Sequence, residues 1–116
     1  MGDSFSTNGT IILQPGSDTV PYTFTFAAAS SATANDGSIP FGSTISAADV
    51  KAYDETGTDV TTDIVGSETN TTTVVTVNLK YPAATGNYSL EFVLTLSTGA
   101  KMEFDFTRVF AKDITA

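Results

Sequence analysis

The sequence predicts an all-β protein, an antiparallel two-layer β-sandwich of about seven strands, and three observations carry that prediction. The first is alternation. Tyr88, Leu90, Phe92, Leu94 and Leu96 alternate with Ser89, Glu91, Val93 and Thr95, which places the five apolar side chains on one face of a half-buried strand. The second is recurrence of the same period in Val20, Tyr22, Phe24 and Phe26, in Val75, Val77, Leu79 and Tyr81, and in Met102, Phe104 and Phe106. The third is the spacing of turn signals, with Pro15-Gly16, Asp54-Glu55-Thr56-Gly57 and Ser97-Thr98-Gly99 closing short runs. A chain of 116 residues is large enough for one two-layer core and too small for two. Its eight Phe and four Tyr supply much of the apolar surface to fill that core.

Residues 1–9 are small and polar apart from Phe5 and read as a flexible N-terminal arm; a single domain is expected over 10–113, with a tail at 114–116. Within the domain, Thr10 to Gln14 form a short first strand. Thr19 to Ala28 form the next, with Val20, Tyr22, Phe24, Phe26 and Ala28 on one face. Residues 29–43 are a long Gly/Ser/Ala loop around one apolar knot, Ile39-Pro40-Phe41; a helix over Ala27 to Ala34 is disfavoured by its Ser and Thr. A strand from about Asp49 to Asp54 turns inward Val50 and Ala52, after a possible helical turn at Ser46 to Asp49. Asp54 to Gly57 signals a hairpin into a strand over Asp59 to Val65. Gly66 to Thr71 reads as polar turn, Thr72 to Tyr81 as strand, Pro82 to Gly86 as a corner, and the last two strands follow on either side of Ser97 to Gly99. Arg108 shares the parity of Phe104, Phe106 and Phe110. An unpaired buried guanidinium is costly. Either a bulge at Thr107-Arg108 shifts the register, or Arg108 lies at the sandwich end beside an acid, which is the expected arrangement.

The entry Gly86-Asn87-Tyr88 resembles the tyrosine corner of immunoglobulin-like (Ig-like) sandwiches, in which a Tyr near the start of strand F hydrogen-bonds back to upstream backbone. Leu90 stands where antibody domains carry their second disulfide cysteine. The resemblance implies an Ig-like antiparallel sandwich without a disulfide. The chain also departs from antibody domains in having no Trp to anchor strand C.

Composition narrows the chemistry. There is no Cys and no His, which removes thiolate metal sites, cysteine nucleophiles and the commonest general base. A formal charge of −8, with only five Lys and Arg, argues against nucleic-acid binding, which needs a basic footprint. No apolar run is long enough for a membrane helix, and the first twenty residues lack the pattern of a signal peptide. With Met1 as the start, synthesis and first folding are expected in a cytoplasm. Asp54, Glu55, Asp59 and Asp63 gather around one turn, but their spacing does not match an EF-hand, and solvated turn residues are the expected reading. Ser residues lack both a His and a Gly-x-Ser-x-Gly elbow. No catalytic residue, metal ligand or cofactor is expected. The three Asn-x-Ser/Thr sequons, at Asn8, Asn70 and Asn87, read as accidental in a Thr-rich chain.

The stretch Val50-Lys51-Ala52-Tyr53-Asp54-Glu55-Thr56-Gly57-Thr58-Asp59-Val60-Thr61, followed by Tyr81-Pro82 and Gly86-Asn87-Tyr88-Ser89-Leu90, is similar to small Ig-like proteins of tailed bacteriophages. The likeness spans about residues 44 to 112. It implies a non-enzymatic virion protein, a head decoration (cement) protein or a neck or tail ornament, assembled in the bacterial host cytoplasm. Its implied partner is protein, the major coat protein or neighbouring copies of itself, with many copies on one assembly and neither nucleic acid nor membrane. An extracellular adhesion or carbohydrate-binding Ig-like module is the alternative. Contact residues are expected where apolar side chains sit in segments that the sandwich does not need: Phe5, Ile39, Phe41 and Ile114. The competing expectation is that Phe41 folds back to cap the sandwich end.

Overall fold

The structure, a computed structural model, describes residues 11–13, 20–34 and 36–111, with Ile12 and Arg108 described by their backbone alone. Seven strands and one helical turn follow in the order β1 (Ile11–Leu13), β2 (Val20–Thr25), β3 (Ile45–Asp54), α1 (Thr61–Ile64), β4 (Val65–Asn70), β5 (Val74–Leu79), β6 (Gly86–Leu96) and β7 (Lys101–Ala111). They form a four-stranded sheet in the order β1-β7-β6-β3 and a three-stranded sheet in the order β2-β5-β4. All pairings are antiparallel except β1 with β7. A first strand parallel to the last, with β3, β6 and β7 as strands C, F and G in one sheet and β2, β4 and β5 as strands B, D and E in the other, is an Ig-like sandwich.

The alternating faces meet between the sheets. Phe24 of β2 packs against Phe92 of β6 at 4.7 Å between ring centroids and edge-on against Phe106 of β7 at 5.4 Å. Phe26 lies 5.4 Å from Phe92 and 5.0 Å from Phe104. Tilted and edge-to-face rings gain beyond simple area burial, so this five-ring cluster fills the centre that a strand-C Trp holds in antibody domains. Val50, Ala52, Val75, Val77, Leu79, Leu90 and Leu94 close around it, while Tyr22 is only half-buried. The tyrosine corner is present: the Tyr88 hydroxyl donates to the Ala84 carbonyl at 2.6 Å.

Four expectations change. The turn at Asp54–Gly57 forms, with Gly57 at φ 87° and its N–H on the Asp54 carbonyl, but no hairpin follows. The returning chain stays beside β3 only for one β-bridge, Tyr53–Asp59, flanked by the Asp54 N–H on the Thr58 carbonyl and the Val60 N–H on the Ala52 carbonyl; it then makes the helical turn α1, buries Ile64 and crosses to the other sheet. Residues 66–70, read as turn, are the body of β4. Their inward positions hold Glu68 and Asn70 in place of apolar residues, so they carry no hydrophobic period. The helical turn considered at Ser46 is extended backbone within β3. At Arg108 it is the bulge that occurs. Leu90 pairs with Phe106 but Tyr88 with Val109, so two residues, Thr107 and Arg108, stand opposite Ser89. The shift turns Val109 and Ala111 into the core. An ion pair of the Arg108 side chain falls outside what is described.

The edges of both sheets are blunted. On β3, Glu68 accepts the Val50 N–H, the Thr61 Oγ1 accepts the Ala52 N–H at 3.0 Å, and the Thr58 carbonyl accepts the Asp54 N–H at 3.0 Å. β2 carries Pro21, and β4 carries a bulge beside Gly66 and the inward-pointing Glu68. These are established devices against edge-to-edge pairing. Glu68 is held at a cost: burial, and to a smaller extent the Asp49 charge, raise its pKa above the ordinary glutamate value. A carboxyl whose folded pKa is raised favours the protonated fold, so its contribution is lost as pH climbs through that pKa. Glu68→Gln, which keeps an acceptor for Val50, is expected to unfold at higher denaturant than the wild type at neutral pH. The difference should shrink as pH falls through the carboxylate range; a Gln variant less stable at neutral pH would contradict this account.

Candidate interaction surface at one end of the sandwich

Three connections converge at one end of the sandwich: the long β2–β3 loop (residues 26–44), the β4–β5 turn (71–73) and the β6–β7 turn (97–100). Phe26 donates its N–H to the Thr73 carbonyl at 2.7 Å and Ile45 to the Thr72 carbonyl at 2.8 Å. Ser97 donates to the Thr44 carbonyl at 2.8 Å, and the Thr44 N–H returns to the Ser97 Oγ at 3.2 Å. In variable antibody domains this end carries the B–C and F–G recognition loops.

The long loop is pinned along its length. Ala28 bridges Ile39, the Ala29 N–H meets the Ile39 carbonyl at 2.9 Å, and the Ser38 N–H meets the Ala27 carbonyl at 2.8 Å. Gly37 lies flat on Ala28 and Ala29, where any Cβ would collide with their backbone. Asp36 closes the arch by accepting the Ser30 N–H at 2.9 Å and the Ser30 Oγ–H at 2.7 Å. These two bonds, the side-chain one foremost, hold its carboxyl below the usual range.

From this base the chain projects a turn. The Ser43 N–H donates to the Pro40 carbonyl at 3.0 Å, and Gly42 sits at φ 79°. A positive φ at the third residue is the signature of a type II turn, and it places Phe41 at the outer corner. The residues flanking the turn are anchored: Ile39 is 2% and Ser43 4% exposed, whereas Phe41 is 56% exposed. The four site residues expected from sequence therefore separate. Ile39 is a core residue, its side chain enclosed by the sandwich. Phe41 does not fold back to cap the end; it stands in solvent. Phe5 and Ile114 lie outside the described residues.

The surroundings of Phe41 are nearly free of charge. Asp36 is the only ionisable residue among the described residues of 26–44, 71–73 and 97–100. The opposite end is acidic, with Asp54, Glu55, Asp59 and Asp63, and the first two and Asp63 help burial to raise the Tyr88 pKa. These carboxylates serve local structure. Asp54 Oδ1 accepts from the Thr56 N–H and Oγ and the Thr58 N–H at 2.6–3.0 Å. Asp59 Oδ1 does the same for Thr61 at 2.9 and 2.6 Å, and Asp63 Oδ2 accepts the Ala83 N–H at 3.0 Å. Bonds to Thr56 and Thr61, respectively, are the leading cause holding Asp54 and Asp59 below the usual range. Among the described residues no three acidic side chains are arranged to hold a metal ion.

The fold and this surface define an Ig-like module that presents one apolar side chain on a preformed loop. No protein-family model matches the chain, and no curated protein is significantly similar to it.

Proposed function

We propose that this chain is a non-enzymatic structural protein of a phage virion, which decorates or cements the capsid by binding coat protein through the loop end that presents Phe41. The observation that carries the binding reading is Phe41 itself. A large ring held in solvent by a turn anchored on both sides gains nothing for the isolated fold. Seated in a pocket, it would contribute as aromatic anchors do at interface centres, and the pinned loop lowers the ordering cost of binding. The near absence of charge around it means that docking desolvates almost no ions. The virion setting rests on the similarity of Val50 to Thr61 and of Tyr81 to Leu90 to phage Ig-like proteins, and assembly in the host cytoplasm follows from that setting.

The test uses purified particles. Quantitative mass spectrometry should find the chain in many copies, in fixed ratio to the coat protein. Added to particles stripped of it, the wild-type chain should bind, and Phe41→Ser should bind at least about tenfold more weakly. Absence from the particles overturns the virion setting. Equal binding by the two chains overturns the role of this loop end.

A further inference from the structure

Asp36 is exposed and is followed by Gly37. An aspartate before glycine is the step most open to rearrangement, because a residue without a Cβ leaves its backbone nitrogen accessible to the preceding side chain. The Gly37 nitrogen attacks Cγ of the protonated Asp36 carboxyl. A C–N bond forms, and the carboxyl OH leaves as water with the amide hydrogen, giving a cyclic succinimide. Water then reopens the ring. Attack at the former main-chain carbonyl breaks its bond to the nitrogen and leaves the chain running through Cγ, as isoaspartate; attack at Cγ restores aspartate. The fold opposes both partners in this reaction. The carboxylate is turned to Ser30, with Oδ1 taking the N–H at 2.9 Å and Oδ2 the Oγ–H at 2.7 Å. Gly37 is pressed on the backbone of Ala28 and Ala29, with no room even for a Cβ. The chain beyond it is fixed by the Ser38 and Ile39 N–H groups on the Ala27 carbonyl, at 2.8 and 3.3 Å. The peptide between Asp36 and Gly37 therefore cannot rotate toward the carboxyl without lifting the arch.

We infer that Asp36-Gly37 is a site of spontaneous isoaspartate formation that the folded loop keeps closed, with the Ser30 side chain as its latch. Ser30 acts in two ways. Its bonds hold the carboxylate toward Ser30 and away from the attacking nitrogen. They also favour the charged form, and a carboxyl held below its usual range is seldom in the protonated form that can lose its OH. Rearrangement is then self-propagating for the loop. Isoaspartate lengthens the main chain and leaves a carboxylate attached directly to Cα, so the two bonds to Ser30 cannot both re-form. The arch opens beneath the Pro40–Ser43 turn that presents Phe41. Attachment through Phe41 would thereby depend on the age of the chain. That last consequence rests on the reading of Phe41 as a contact; the isoaspartate site itself does not.

Peptide mapping of the full chain after prolonged incubation at mildly acidic pH tests it, with isoaspartate at Asp36 read by separation and fragmentation of the isomeric peptides. Asn8-Gly9, the chain's other such step, reacts by loss of ammonia and serves as an internal clock that Ser30 should not affect. In the native wild type, isoaspartate at Asp36 is expected to form several-fold more slowly than in the same chain unfolded in guanidinium chloride. Ser30→Ala, at an exposed position, should keep the fold and raise the native rate several-fold. Ser30→Thr, which retains the hydroxyl, should stay near the wild type, with Asn8 reacting equally in all three native chains. Equal rates at Asp36 in native and unfolded wild type overturn the closed site, and absence of isoaspartate in the unfolded chain overturns the site altogether. A Ser30→Ala chain that rearranges no faster than the wild type, or one in which Asn8 accelerates equally, overturns the latch. None of these failures touches the binding reading, which is measured on particles with fresh chain. Equal attachment of Phe41→Ser would remove that reading and leave the isoaspartate site standing.

Discussion

Replacing Phe92 with alanine is expected to destabilise the protein by about 3–5 kcal/mol, the range for deleting a large ring from a core. Phe92 is fully buried on β6, the central strand of its sheet flanked by β3 and β7, and it touches both Phe24 and Phe26 from the opposite sheet. Phe92 thus joins both rings of the β2 side, at 4.7 and 5.4 Å, with a strand on each side of its own. Truncation therefore removes the ring's own burial and opens a cavity between the sheets, which rigid strands close only in part. A domain holds about 5–15 kcal/mol in all, so the variant should sit near the threshold of folding at physiological temperature. Urea unfolding should show a lower midpoint with an unchanged slope, since the same surface is exposed. A loss below about 1 kcal/mol would mean that the two sheets are not locked by this cluster.

The elements that form this core are those whose sequence states their role. β2, β5, β6 and β7 each bury one face against the other sheet and expose the other, and a two-residue period follows directly. β4 escapes notice for a physical reason. Its inward side covers the edge of β3 with Glu68 and reaches the Ile45 carbonyl with Asn70, at 3.5 Å, instead of filling the core. Polar residues facing a strand edge look, in sequence, like a turn. The segment Val60, Thr62, Ile64 errs in the opposite direction. Its alternation spans too few residues to distinguish a strand from one helical turn, and the Asp59–Thr61 bonds favour the turn. At Thr107-Arg108 parity alone allowed two outcomes, and the bulge between Phe106 and Val109 decides between them.

The candidate site was legible only in part. An apolar knot within a small, polar loop is visible as Ile39-Pro40-Phe41, and one of its two large side chains does stand in solvent. What sequence cannot assign is which one. Ile39 and Phe41 are two residues apart and share a strand face by parity, but Gly42 at positive φ turns the chain between them and Ser43, so the parity rule ends at the knot. The glycine after Phe41 was the available signal, since an x-Pro-x-Gly sequence marks a turn with the residue before Gly at its corner.

Ile39 and Phe41 should respond in opposite ways to the same substitution. Ile39→Ser is expected to cost about 3–5 kcal/mol, because it deletes a buried aliphatic side chain and leaves a hydroxyl in its place. The loss should extend to the loop, since Ile39 anchors it to Ala28 and Ala29 through the bridge and the 2.9 Å bond. Phe41→Ser removes a ring already 56% exposed, and its cost should stay within about 0.5 kcal/mol, as for surface positions away from special features. Thermal and urea melts of the two single variants measure both effects. If Phe41→Ser melts as early as Ile39→Ser, the ring is part of the core and the loop end loses its claim to be a binding surface. If Phe41→Ser keeps the wild-type midpoint while attachment to particles falls, a conformation that the fold does not need has been traced to contact with a partner.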